Sequence, residues 1–463
     1  MRRRAPSLIF VFITLLLDVL GFGLLIPVSP RLIAYVQGLP MEGAEHDAST
    51  AVGLLMATFA AMQFIFSPIM GSLSDRFGRR PVLLIALLGS ALDYFVAAAV
   101  PGLWVLFITR ALNGVSGATV SVCSAYIADV TPPEKRAAGY GIIGAAFGMG
   151  FVFGPLVGGV LGDDKLALPL IGHGHVTYPY IAAGVLTLGN FLFGLLVMPE
   201  SLPREHRRPF SWSKANPLGA IKWLTRHPVV LTLAVSLLLL NIAQFGLHST
   251  WVLSMTARFN WSTTQVGWSM FVVGISAAIV QGGLARKIIP KFGERACLLF
   301  GIVLGVAAFC AYGLATHGWM IYLFIAIASL GGVAGPAVQA ITSKAVGPTE
   351  QGLLQGALGS LGSVAGVAGP VIATAAFRAA TPGKPPFAFP GASAPFFTGA
   401  VLMLLALAPI AVVWRRMPRT VAESPDESEA GSDAPESAGL GAPLATSAFG
   451  EKAREVTGDR REE

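Results

Sequence analysis

Long apolar runs constrain this chain more than any other feature. They lie at about 8–28, 51–71, 81–100, 103–124, 139–161 and 178–198, then at about 229–255, 265–285, 296–315, 319–341, 353–376 and 395–414. Each is close to the ~20 apolar residues that cross a bilayer as a helix. In lipid, backbone N–H and C=O groups must be bonded within the protein, so such runs fold as helices. Only 12% of residues are charged, about half the share typical of soluble domains. The expected fold class is an all-α polytopic membrane protein, with twelve transmembrane helices in two six-helix bundles.

The connections between the runs set the topology. Twelve crossings place both termini on one side. That side collects 22 Lys and Arg, including Arg2, Arg3, Arg4, Arg76, Arg79, Arg80, Lys135, Arg136, Arg286, Lys287, Lys291, Arg295 and Lys344. The other side has five: Arg31, Lys165, Arg258, Arg378 and Lys384. The positive-inside rule then puts both termini in the cytoplasm of a cell whose plasma membrane, a bacterial inner membrane, holds the protein. The basic excess is thus a topology signal, and no nucleic-acid partner is expected. The Arg2–Arg4 start resembles a signal peptide, but Asp18 interrupts the run and no small-residue cleavage site follows, so an uncleaved first helix is expected.

Cys123, Cys297 and Cys310 lie in or beside apolar runs at no metal-ligand spacing and read as small core residues. Residues 420–463 hold 11 acidic and four basic side chains among Ser, Gly, Ala and Pro, the composition of a disordered tail. The expected domains are 1–198, a cytoplasmic linker at 199–228, 229–416 and the tail at 417–463.

An offset of 215 residues relates the two halves. Phe77-Gly78 matches Phe292-Gly293, Pro133 matches Pro348, Gly141 matches Gly356, Gly144 matches Gly359, and Gly154-Pro155 matches Gly369-Pro370. A shared register implies duplicated helix bundles. A substrate site between such repeats near the midplane is a secondary-transporter plan.

Between the second and third runs stands Gly71-Ser72-Leu73-Ser74-Asp75-Arg76-Phe77-Gly78-Arg79-Arg80, read as a charged loop with a tight turn. In the fifth run stands Gly150-Phe151-Val152-Phe153-Gly154-Pro155-Leu156-Val157-Gly158-Gly159. The first stretch resembles the signature loop of the major facilitator superfamily. The second resembles the helix 5 signature of its drug:proton antiporters. With Leu16-Leu17-Asp18, Ser90-Ala91-Leu92-Asp93-Tyr94 and Ile127-Ala128-Asp129, the chain is similar to the tetracycline efflux pumps, over about residues 8–415. The resemblance implies a major facilitator fold and a cytoplasmic latch made by Gly71, Asp75, Arg76, Gly78, Arg79 and Arg80. It also implies antiport, with Gly150, Gly154, Pro155, Gly158 and Gly159 as its motif. Ordinary topology-setting charge and generic close packing are the plainer readings of these two stretches.

Asp18, Asp93 and Arg110 are the charges placed inside the runs, apart from acids at their ends. Each costs roughly 2.5–3.5 kcal/mol to insert, so such residues are rarely retained without a use. Asp18 and Asp93 are candidates for handling protons or a substrate cation, with Arg110 as modulator; a static buried ion pair is the alternative. At the 215 offset stand Leu233, Ala308 and Ile325, which assigns coupling to the first half and substrate shaping to the second. Candidate cavity residues are Gln63, Asn113, Asn241, Gln244, His248, Trp251, Gln281 and Gln339, with Phe245 as a further aromatic surface.

Tetracycline pumps of Gram-negative bacteria carry a histidine in helix 8 and an aspartate in helix 9, where this chain has Ala277 and Gly305. His248 is an ionisable group that could compensate. The expected function is proton-coupled efflux of a small amphipathic drug, tetracycline-like by resemblance, with a metabolite or natural-product transporter as the alternative. The expected partners are that small molecule, protons and the lipid bilayer, and the protein is expected to act as a monomer. No phosphate-binding loop, soluble catalytic domain or metal cluster is present in the sequence, so no enzyme, cofactor or metal is expected. A sensor or scaffold would gain nothing from buried charge.

Overall fold

The computed structural model describes residues 8–39, 45–99, 102–117, 119–132, 136–165, 167–168, 172–173, 176–210, 224–225, 227–347, 350–379 and 391–414. Arg2–Arg4, Pro133, Lys135, Pro348, Lys384, residues 211–223 and 226 of the 199–228 linker and the 417–463 tail lie outside them. Among the described residues, twelve helices are long and apolar enough to cross a membrane. They are α1 (Leu8–Leu25), α2 (Glu45–Phe77), α3 (Arg79–Ala99), α4 (Leu103–Val130), α5 (Gly139–Leu161) and α6 (Tyr178–Val197). The second set is α7 (Pro228–Phe259), α8 (Thr263–Phe292), α9 (Glu294–Leu314), α10 (Gly318–Lys344), α11 (Leu353–Ala379) and α12 (Ala394–Val413). A two-residue ladder, Ala167–Leu168 with Gly172–His173, is the departure from an all-helical chain among the described residues.

The helices outrun the apolar segments that predict them. α2 continues through Ser72-Leu73-Ser74-Asp75-Arg76 to Phe77, and α3 begins at Arg79. The charged stretch is therefore a helix end and a helix start, not a loop. Gly78, at φ +103°, carries the whole change of direction, a conformation open to glycine without steric cost. Gly293, at φ +80°, does the same between α8 and α9. At the other end of α8, Ser262 accepts from the Gln265 amide while the Gln265 side chain accepts from the Ser262 amide. This reciprocal cap fixes where the helix begins.

Four spans contain irregular turns, α12 among them at Ala406. α4 consists of Leu103–Ser116 and Thr119–Val130. α8 contains a π-helical turn at Val280–Leu284, and α10 a 3-10 turn at Leu330–Val333. Gly117 and Gly332, at the breaks of α4 and α10, are again 215 residues apart.

Two helix sets meet along α2 with α11 and α5 with α8. The contacts lie toward one end. A Cβ on Gly267 of α8 would stand 2.6 Å from the Pro155 carbonyl, and one on Gly159 would run into the Thr263 carbonyl. On the other seam, Gly53 closes on Pro370 and Thr374, and Gly366 on Ala60. Toward the end where α2 turns into α3, the same helices part. Gly141, Gly144 and Gly148 on α5, Gly282 and Gly283 on α8, and Gly359 and Gly362 on α11 face open space. The molecule is thus closed at the far end and open at the Gly78 end.

Candidate functional site

Asp93, on α3, is 3% exposed. Arg110, on α4, donates to its Oδ2 at 3.0 Å, and Asn113, one turn further on α4, donates to the same oxygen at 2.9 Å. The i, i+3 spacing puts both donors on one helix face. Oδ1 is buried and meets no donor at hydrogen-bond geometry. The Arg110 guanidinium also stands 5.9 Å from the centre of the Tyr94 ring. Desolvating both charges is costly, so the pair holds because its partners are fixed and hydrogen-bonded. Asn113, expected in the substrate cavity, is instead a buried member of this cluster.

Asp18, on α1, accepts from the Thr119 hydroxyl at 3.3 Å. Thr119 opens the second part of α4, and the Gln63 side chain of α2 donates to the Gly117 carbonyl just before it, at 3.0 Å. Gln63 therefore holds the broken helix, while Thr119 reaches the carboxylate. Sequence reading missed Thr119, since a threonine in an apolar run has no distinguishing signal.

The fifth-helix motif serves two neighbours at once. A Cβ on Gly154 would stand 2.8 Å from the Gly23 Cα of α1, and one on Gly158 would run into the Leu24 backbone. Gly150 closes on Val19 and Leu20 of the same helix. On the opposite side, Pro155 and Gly159 meet α8. The motif ties α1, next to Asp18, to the second helix set.

In the second set, Gln244, His248, Gln281 and Gln339 are exposed, and so is Phe245. Asn241 donates back to the Leu237 carbonyl at 2.8 Å, one turn away. Trp251 is 4% exposed, donates to Ser269 at 2.9 Å and meets Tyr312 and Phe396 edge-on. It belongs to the core, not to a cavity wall. Gly305 packs against Met403 of α12, so an acidic side chain there would meet a thioether.

At the open end, the Gly78 turn is surrounded by ion pairs. Arg79 lies 2.6 Å from Asp75 and 3.1 Å from Asp129, and donates to Ser74 at 2.6 Å. Glu200, just past α6, accepts from the Arg79 amide at 2.8 Å and the Arg80 amide at 3.3 Å. A carboxylate there satisfies the unpaired first amides of α3 and meets the positive end of its dipole. Ser201 donates to Asp129 at 3.0 Å. Gly71 faces Ser121 of α4. The sequence signal for Glu200 was an acid immediately after an apolar run, which alone reads as surface charge. At the closed end, burial pushes the Asp163 carboxyl up. Hydrogen bonds from Thr264, the Lys165 amide and Ser262, together with the Arg31 charge, outweigh it and hold that carboxyl below its usual range.

The Major Facilitator Superfamily model matches residues 11–370 and 250–456. The chain belongs to the major facilitator superfamily. It is 36% identical over 375 residues to the class C tetracycline resistance protein of Escherichia coli, covering 81% of this chain and 90% of that one. The class H tetracycline resistance protein of Pasteurella multocida is 33% identical, with 77% and 85% covered. Among solved structures, the human organic anion transporter MFSD10 (TETRAN) superposes with a TM-score of 0.64 at 29% identity, covering 87% of this chain and 98% of that one. A bacterial homolog of the human lysosomal transporter Spinster, inward-facing and occupied, gives 0.70 at 15% identity, covering 88% and 96%. The twelve-helix major facilitator fold and a transporter's role follow.

Proposed function

We propose that this transporter exports a small amphipathic drug, tetracycline-like, in exchange for protons, by alternating access between two six-helix bundles in a bacterial inner membrane. The Gly78 end is cytoplasmic in this reading, so the conformation described faces the cytoplasm. The observation that carries it is the Asp93–Arg110–Asn113 cluster, joined on α4 by the Thr119–Asp18 contact. Protonating Asp93 removes the charge that holds Arg110 and turns one carboxyl oxygen into a donor. The grip between α3 and α4 then loosens. Because α4 also carries Thr119, a shift of that helix changes the partner of Asp18. Proton loading is thereby linked to helix position. Similarity to tetracycline resistance proteins over most of the chain supports the cargo class.

The test is resistance in a drug-sensitive bacterium lacking its own pumps. Wild type is expected to raise resistance to tetracyclines, and Asp18→Asn or Asp93→Asn to abolish it at equal membrane abundance. No resistance to any drug would remove this reading. A second reading, transport of another organic solute, is favoured by Ala277 and Gly305 at the positions noted above and by the likeness to an organic anion transporter. Metal-chelated tetracycline is the cargo that those two positions favour least.

A further inference from the structure

A proton bound for Asp93 has no direct path from water, because that side chain is 1% exposed. Asp18, by contrast, is partly exposed. Tyr94, 2% exposed, neighbours both. It follows Asp93 on α3, and its Cε2, next to the carbon that bears the hydroxyl, lies 3.8 Å from the Cβ position of Gly21. Gly21 is three residues beyond Asp18 on α1. Asp18, Asp93 and Arg110 all act electrostatically on the Tyr94 hydroxyl, and the Asn113 side chain reaches it by a hydrogen bond. Asn113 also donates to Asp93 Oδ2 at 2.9 Å, so one amide serves both the phenol and the carboxylate. Asp93 Oδ1 is unpartnered among the described residues. A proton arriving there displaces no existing bond.

The face of α1 that carries Asp18 extends the polar lining. Thr14, Asp18 and Gly21 stand at i, i+4 and i+7, one side of a helix; Val19 and Gly23, which meet α5, stand on the other. Asn190 of α6 donates to the Thr14 carbonyl at 2.9 Å. Thr187, one turn earlier on α6, places its Oγ1 3.3 Å from the Gly21 Cβ position. Thr14 Oγ1, Thr187 Oγ1 and Asn190 Oδ1 are all unpartnered among the described residues. Thr187 and Asn190 are fully buried, and Thr14 nearly so. Leaving buried oxygens unbonded is costly, and a buried water satisfies about three such groups at once. The other ionisable groups here are Arg110, Tyr180 beside it, and Cys123 beside Asp18.

We propose that the seam between α1, α3 and α6 holds buried water and carries protons between Asp18 and Asp93, with Tyr94 as the relay. The carboxyl proton of Asp18 passes through water to the phenol oxygen, while the phenol gives its own proton to an Asp93 oxygen. Tyr94 stays neutral, Asp18 becomes ionised and Asp93 protonated, so protons and charge balance. Thr14, Thr187 and Asn190 seat the water. This rests on the proton-coupling reading but not on the identity of the cargo.

The readout is hydrogen–deuterium exchange at the two carboxyl groups, followed by their infrared C=O bands when the acidified full chain, in liposomes without drug, is moved into heavy water. Asp18→Asn and Asp93→Asn assign the bands. Tyr94→Phe, which removes only the hydroxyl, should slow exchange at Asp93 severalfold and leave Asp18 at the wild-type rate. Asp18→Asn should slow Asp93 likewise. Thr187→Val should slow it too, and Thr187→Ser should restore it, because serine keeps the oxygen that seats water. A tyrosine that is merely packed predicts a lower unfolding midpoint in Tyr94→Phe with Asp93 exchange unchanged, and that result would overturn the relay. Thermal unfolding tests the water separately. A dry seam predicts that Thr187→Val raises the midpoint by removing an unbonded buried hydroxyl, which would overturn hydration; a hydrated seam predicts a fall. No Asp93 band at any pH would remove the proton-coupling reading and the link together. Failure of drug resistance with the exchange pattern intact would sink the cargo and leave the link standing.

Discussion

The interior of the first six helices and that of the second differ in charge more than in shape. The first buries Asp93 against Arg110 and holds Asp18 on Thr119. At the equivalent places the second has Leu233, Ala308 and Ile325, all buried. Its polar side chains on exposed faces, Gln244, His248, Gln281 and Gln339, include no carboxylate or guanidinium. One repeat has kept ionisable groups at the full cost of burial. The other is apolar at those three places, and its buried Glu294 and Arg295 stand at the start of α9. Duplication supplies the frame, and the proposed coupling rests on the difference between copies.

The sharpest way to break this contrast is to orphan one buried charge. Arg110→Ala should destabilise the protein by about 3–5 kcal/mol, because Asp93 then stays buried with only Asn113. Adding Asp93→Ala should return most of the thermal stability while efflux remains lost. Recovery of efflux in the double variant would show the pair to be a static brace. Next in size, Leu233→Asp places a carboxylate in the second set at the Asp18 register. It should cost roughly 2.5–3.5 kcal/mol and lower the folded yield, without changing the pH profile of efflux. A shifted profile would mean that the second set can couple protons as well.

A smaller effect belongs to the Gly78 turn. Gly78→Ala imposes about 1–2 kcal/mol of left-handed backbone strain, and its methyl would run into Glu200 and Arg207. The unfolding midpoint should fall, and efflux with it. The smallest effect is at the closed end, where the first set again supplies the charge and the second the neutral donors Thr264 and Ser262. The Asp163 carboxyl is held below its usual range. Its stabilisation is complete above the unfolded carboxylate pKa of about 4 and is lost as pH falls through the lower folded value. Asp163→Asn should therefore remove a slight pH dependence of stability that sets in as pH falls below about 4, followed by thermal unfolding. An unaltered pH curve would detach Asp163 from the closed end.

Much of the frame was legible because hydropathy and sign are one-dimensional properties. Twelve runs gave twelve helices, and the 215 offset anticipated paired turns at Gly78 and Gly293. The charged stretch at 71–81 was misread as a loop because charge density imitates one. Helix continuation through Asp75 is allowed because the Arg79 side chain pairs with it and the Arg208 amide, from outside the segment, donates to the Asp75 carbonyl. Trp251 and Asn113 were assigned to a cavity by residue type. Their true partners, Ser269 and Asp93, lie 18 and 20 residues away. Periodicity within a single helix holds no information about such contacts.

The sequence by itself determined that the chain spans a membrane twelve times, that its halves are related, and that Asp18, Asp93 and Arg110, the charges inside the apolar runs, all lie in the first half. These follow from the cost of placing polar groups in hydrocarbon, which acts residue by residue. Only the tertiary structure decided that Asp93 and Arg110 form a pair, that Glu200 caps α3, and that Tyr94 and Thr187 both close on Gly21. It alone decided which end is open. Those outcomes depend on side chains meeting between helices, at distances that no run of residues along the chain encodes.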